Sequence, residues 1–177
     1  MAGTAKKGTR RKGAKTIARA YFEALAKRDL DAAQALWRPG GIDRLHGLAE
    51  LRVPGEHRAY FQNLFAAFPD FELEVVDVTG AGDRAAVRWR GTGTFNGTAR
   101  FQGLNPNGSR IEIEGCDMLS IEEGEIVENN AYLNGVQLGQ QLGAFPQQGS
   151  FGERAVTGAL NARTAATEAI RRLRERD

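Results

Sequence analysis

Asp117 is the side chain whose type and position most clearly invite chemistry. Around it, residues 111–121 alternate as a strand does, with Ile111, Ile113, Gly115, Leu119 and Ile121 on one face and Glu112, Glu114 and Ser120 on the other. Asp117 falls on the apolar face. An unpaired carboxylate there costs several kcal/mol, so the group is hydrogen-bonded, protonated, or set at the wall of a wet cavity. The last of these makes it a candidate general acid or base, its pKa raised by apolar surroundings. A structural carboxylate held by neighbouring amides is the competing reading.

The turn Glu123-Gly124 leads into a second strand, Ile126 to Asn134, because a two-residue turn ending in Gly suits a tight hairpin. Pairing Glu122 with Glu125 sets Asp117 opposite Asn130 and Gly115 opposite Tyr132. Asn130, Tyr132 and Asn134 then share the face of Asp117 and are candidates to hold a substrate carbonyl or hydroxyl. His46, in the loop after Trp37, and Trp89, on the apolar face of its own strand, are further candidates to face a ligand. His46 and His57 lack a third ligand nearby and do not make a metal site. Gly91-Thr92-Gly93-Thr94 lacks the Lys and the strand-to-helix setting of a phosphate loop, so bending of a strand explains it better. Cys116, the lone cysteine, reads as a buried structural thiol.

The elements that must position these groups come in a simple order. Ile17, Ala20, Tyr21, Ala24 and Leu25 recur at helical spacing, and Asp29 is a good N-cap for a short second helix ended by Arg38-Pro39-Gly40-Gly41. Residues 42–53 carry no clear pattern and read as a strand remnant and loop. Pro54 suits a helix start, and Phe61, Leu64, Phe65 and Phe68 form a stripe ended by Pro69-Asp70. Strand signals follow at 71–75, 85–90 and, less cleanly, 97–103, before the terminal hairpin. Helices first and strands in sequence afterwards predict an α+β domain with an antiparallel meander.

Several ordered landmarks resemble the SnoaL-like polyketide cyclases. They are Gly55-Glu56, Phe68-Pro69-Asp70, Val87-Arg88-Trp89, Leu104-Asn105-Pro106-Asn107-Gly108, Gly115 to Leu119, Glu123 to Glu128, and Gln140-Gln141-Leu142-Gly143. The resemblance spans roughly residues 16–146. It implies N-terminal helices packed in a curved antiparallel sheet that forms a cone with a central pocket, plus a C-terminal helical extension. It also implies cofactor-free acid/base catalysis: proton removal beside a carbonyl, then intramolecular aldol ring closure of a polyketide ester. A homodimer and a small hydrophobic or aromatic ligand belong to the same expectation. The chain departs from the pattern where relatives carry Trp-Asp on the last strand. Here the run is Asn129-Asn130-Ala131, the later Asp is Asn134, and no position from 129 to 134 has a carboxylate. Only Glu128 or Asp117 could substitute, and Asp117 is the acid/base candidate taken forward.

Composition limits the alternatives. Of the chain's basic residues, six fall in residues 1–15, without an acid among them, while 16–150 hold 12 Lys/Arg against 18 Asp/Glu. The body is therefore mildly acidic, and a Gly/Thr-rich basic end reads as a disordered arm more readily than as a nucleic-acid contact. No stretch approaches the roughly 20 apolar residues of a membrane span. Without an apolar run behind the basic arm, no secretory signal is expected, and a lone cysteine fits a reducing cytoplasm. The expected organisation is an arm at 1–15, a domain at 16–146, and a linker with a C-terminal helix at 147–177. Two other function classes stay open: a non-catalytic ligand-binding or dimerisation module on the same fold, and an interaction protein using the basic arm and the C-terminal helix.

Overall fold

The computed structural model describes residues 13–174. Most of the basic arm expected at 1–15 lies outside the described residues, and helix α1 (Ala14–Ala26) begins within its last two positions. Its stripe of Ile17, Ala18, Tyr21, Phe22, Ala24 and Leu25 is buried against the sheet and the short helix that follows. Each large apolar side chain buried this way contributes about 1.5–3 kcal/mol. The short helix α2 (Leu30–Gln34) starts where Asp29 Oδ1 accepts from the Ala32 amide at 2.9 Å. Strands β1 (Trp37–Leu45) and β2 (Ala49–Arg52) then precede α3 (Gly55–Ala67). Three long strands follow, β3 (Glu72–Ala81), β4 (Arg84–Thr94) and β5 (Arg110–Glu122), and then β6 (Glu125–Leu133), α4 (Gly135–Gln141) and α5 (Phe151–Arg174).

The strands form one six-stranded sheet in the order β2-β1-β6-β5-β4-β3. This overturns the expected curved antiparallel sheet forming a cone with a central pocket. The sheet is open, because β2 and β3 are its two edges and do not meet, and it is mixed, because β1 runs parallel to β6. The α+β class, the N-terminal helices and the C-terminal helix stand as expected. Closure depends on edge strands pairing with each other, and β2, only four residues long, pairs with β1 alone.

Two further expectations change. Residues 97–103 form no strand; Phe101 and Leu104 make an isolated bridge. The amides of Gly97 and Thr98 bond instead to the carbonyls of Ala67 and Ala66, at 3.0 and 2.9 Å, and so close the C-terminal end of α3. Phe95 and Phe101 pack on Phe68, with ring centroids 5.1 and 5.3 Å away.

The β5–β6 hairpin forms on Glu123 and Gly124, both at positive φ as a primed turn requires. Its register slips just beyond the turn: Ile121 faces Ile126, but Ser120 faces Glu128, which leaves Val127 as the extra residue of a bulge. Asp117 therefore faces Ala131, not Asn130, and Gly115 faces Leu133, not Tyr132.

Beyond the sheet, α4 is capped by Asn134, whose Oδ1 accepts from Gln137 N at 3.0 Å. Phe151, Val156, Leu160 and Ile170 of α5 are exposed. No helix among the described residues is long and apolar enough to cross a membrane.

Candidate functional site

The face of the sheet covered by α1 and α3 is apolar except at one place, where polar side chains from five elements meet. Strand β5 contributes Asp117 and β1 contributes Asp43, 5% and 1% exposed. The bulge turns Asn129 of β6 inward, and it is as buried as Asp43. Tyr21 comes from the stripe of α1 and His57 from the first turn of α3, both fully enclosed. Trp89 of β4 lies beside Asp117 because its neighbour across the ladder is Gly115. A Cβ at Gly115 would meet the indole at 2.3 Å, so only glycine admits the ring there.

Asn129 links the two carboxyl groups. Its Nδ2 donates to Asp43 Oδ1 at 2.9 Å and to Asp117 Oδ2 at 2.6 Å. Trp89 Nε1 donates to the other oxygen of Asp117 at 2.7 Å. The second oxygen of Asp43 faces Tyr21 Oη at 3.5 Å and His57 Nε2 at 3.7 Å, while Tyr21 Oη and His57 Nε2 are 2.8 Å apart. A His57 protonated on Nε2 donates to Tyr21, which donates on to Asp43. Asn129 Oδ1 and His57 Nδ1 are buried and have no protein partner.

No Lys or Arg is buried among the described residues, so neither carboxylate has a counter-ion in the core. Burial pushes Asp117 up to about 6, held back by the bonds from Trp89 and Asn129. Burial and the adjacent charge of Asp117 push Asp43 further, to about 7. Burial has the opposite effect on His57 and lowers it to about 4, so its imidazole is neutral at pH 7. Tyr21 is raised well above its usual value by burial and by both carboxylates.

Asp43, Asp117, Tyr21 and Trp89 border a cavity of about 80 Å³ whose other walls are apolar, among them Phe22, Leu25, Phe61, Leu64 and Ile113. Tyr60 is also part of the lining. A second, outer groove of about 520 Å³ shares Leu48, Leu133 and Leu138 with this cavity, so three leucines stand between the two spaces.

Of the candidates named from sequence, Asp117 and Trp89 border the inner cavity. His46 and Asn134 border the outer groove. Asn130 and Tyr132 are on the opposite face of β6: His46 bonds to Asn130 Oδ1 at 3.0 Å and stacks on the half-exposed Tyr132 at 4.4 Å. Asn130 and Tyr132 are thus not brought to Asp117. Sequence reasoning missed Asp43, Asn129, Tyr21 and His57 as members of the cluster. His57 had a signal, since it continues the stripe of Phe61, Leu64 and Phe68 at helical spacing and is a polar residue on an apolar face. No cluster of three or more His, Cys, Asp or Glu that could hold a metal ion occurs among the described residues.

The family model for SnoaL-like polyketide cyclases matches residues 15–142. No curated protein matches the chain. Among solved structures, AclR of Streptomyces galilaeus, a proposed hydroxylase, is 26% identical with a TM-score of 0.64, over 75% of this chain and 96% of that one. IdmH of Streptomyces antibioticus, a proposed polyketide cyclase, is 26% identical with a TM-score of 0.60, over 72% and 96%. A proposed SnoaL-like polyketide cyclase from Jannaschia sp. CCS1 is similar in fold, with a TM-score of 0.65 over 78% of this chain and 100% of its own at 22% identity.

Proposed function

The chain belongs to the SnoaL-like polyketide cyclase family, and on that premise we propose that it binds a small, flat, partly hydrophobic ligand and acts on it with Asp117 as acid/base. The reaction would be proton removal next to a carbonyl followed by intramolecular aldol ring closure of a polyketide ester. One observation carries this reading: a carboxylate without a counter-ion borders an apolar cavity and is pushed up to about 6. A carboxylate so shifted is a stronger base than an exposed one and still ionised at neutral pH. Trp89 and Asn129 fix its two oxygens, so the base is oriented before a ligand arrives.

The family pattern's last-strand carboxylate has no counterpart at 129–131, but Ala131 is the ladder partner of Asp117. Asp117 on β5 therefore shares its face with Asn129 and Ala131, while Asn130 points to the other side of the sheet.

Size constrains the ligand. A cavity of about 150 Å³ is what admits benzene, and the inner cavity has about 80 Å³. Only the reacting end of a polycyclic ligand would reach Asp117, and the remainder would lie in the outer groove past Leu48, Leu133 and Leu138.

Asp117→Asn tests the reading, because it keeps shape and removes the ionisable group. Turnover of a cyclisable polyketide methyl ester should fall by at least ~10²-fold, the lower range of what a general base contributes. Ligand binding and folding should persist. Unchanged turnover would remove Asp117 from the chemistry. The absence of any carboxylate at 129–134 favours a second reading, a ligand-binding module without catalysis. In that case the wild type binds the ester and never converts it.

A further inference from the structure

Asp43 is the buried carboxyl group that the reading above leaves without a task. It borders the same cavity as Asp117 and reaches the same amide nitrogen of Asn129. The two carboxyls are not held alike. Asp117 receives two short N–H bonds, from Trp89 at 2.7 Å and from Asn129 at 2.6 Å, one on each oxygen. Such donors favour the ionised form. Asp43 receives one short bond, at 2.9 Å, and on its other oxygen one long bond from Tyr21 Oη at 3.5 Å, with His57 Nε2 at 3.7 Å. With fewer short bonds to its ionised form, Asp43 is the more readily protonated of the two.

We propose that Asp43 is the proton donor of the same reaction, a carboxyl group set by Asn129 beside the Asp117 base and aimed at the carbonyl that becomes the new alcohol. This rests on Asp117 being the base. The groups facing Asp43 are Tyr21 from α1, His57 and Tyr60 from α3, Asp117 from β5 and Asn129 from β6. None is a cation at neutral pH, since burial holds His57 near 4 and raises both tyrosines. Asp43 itself, at about 7 against about 6 for Asp117, keeps its proton longer as the pH rises.

The proton balance closes without a further reactant. Asp117 takes a proton from the carbon next to one carbonyl, and the C–H electron pair becomes the enolate. The enolate carbon attacks the second carbonyl carbon, so a C–C bond forms and the C=O π pair moves onto oxygen. That oxygen takes the proton of Asp43. The step leaves Asp117 protonated and Asp43 ionised, and water that refills the cavity after product departure returns the proton to Asp43. Asn129 is a positioning residue here, because its bonds hold both carboxyls and it neither gives up nor takes a proton in the step.

The test separates the two proton transfers. With a β-keto polyketide methyl ester in D2O, deuterium uptake at the acidic carbon reports proton removal, and the cyclised product reports the complete reaction. Asp43→Asn should lower the ratio of closure to exchange by at least ~10²-fold, whereas Asp117→Asn should abolish both. Closure at the wild-type ratio in Asp43→Asn would overturn the donor role while leaving Asp117 as base. Exchange lost as completely in Asp43→Asn as in Asp117→Asn would overturn it too. A wild type showing neither exchange nor closure would refute the catalytic reading and this inference together. Where Asp43→Asn does not fold, carboxyl ¹³C NMR titration of the wild-type protein decides. Two Asp signals should titrate near neutrality, Asp43 above Asp117, and both titrating below pH 5 would overturn the proposal.

Discussion

Replacing Asp43 by Asn should make the fold more stable than the wild type above pH 7, with the gain vanishing near pH 4. In the folded protein this carboxyl is raised from 3.8 to about 7 by burial and by Asp117. A raised pKa means the native state holds the proton harder than the unfolded chain does. The stabilisation by the protonated carboxyl is fully present below pH 4 and is lost as the pH rises through 7. At about 1.4 kcal/mol per unit, the shift corresponds to a loss on the order of 4 kcal/mol. Asn cannot ionise and escapes this loss. It keeps an acceptor for Asn129, and the bond from Asn129 to the ionised carboxylate is already contained in the shift. The expected gain is then on the order of 4 kcal/mol at pH 8.

His57 has the opposite sign. Lowered to about 4, it contributes stability above 6.5 that is lost as the pH falls through 4. Both proteins carry it, so it cancels in their difference. Urea unfolding between pH 4 and 8.5 can be followed by the emission of Trp37 and Trp89, both buried. Parallel stability curves for the two proteins, or an Asn variant that is less stable at pH 8, would refute the reasoning.

Gly115→Ala should cost about 1–3 kcal/mol by overpacking and shift the tryptophan emission, because the new Cβ would meet Trp89 at 2.3 Å and push it off Asp117. An unchanged emission spectrum with unchanged stability would show that the indole has other room. A homodimer is expected, and sedimentation at micromolar concentration should return twice the 19.3 kDa chain mass; a single-chain mass refutes it.

The helices and the terminal hairpin were legible because each repeats its own signal. Tyr21 lies in a stripe with Ile17 and Ala24, and Phe61, Leu64 and Phe68 mark α3 as plainly. The depth of Asp117 was legible for the same reason, since strict alternation fixes its face. The bulge at Val127 was not, because Glu125 to Leu133 reads as an uninterrupted strand. One extra residue there exchanges Asn130 and Tyr132 for Asn129 and Ala131 beside Asp117. Closure into a cone was not legible either, since a list of strands does not say whether the outermost two meet.

Asp43 was hidden for a deeper reason. Its strand, β1, contains Pro39-Gly40-Gly41, and the part beyond that break is too short to show a period. What buries it is a parallel pairing with β6, more than eighty residues away in sequence, which local pattern does not encode. A different sign was available. Tyr21, His57 and Asp117 are each a polar residue on an otherwise apolar stripe, in three separate elements. A core that buries one such group needs a partner for it. Three of them on faces turned toward the same interior are therefore expected to meet, and the residues that link them, Asp43 and Asn129, must come from elements whose own pattern is weak or broken. The polar cluster is thus predictable as a place before all of its members are.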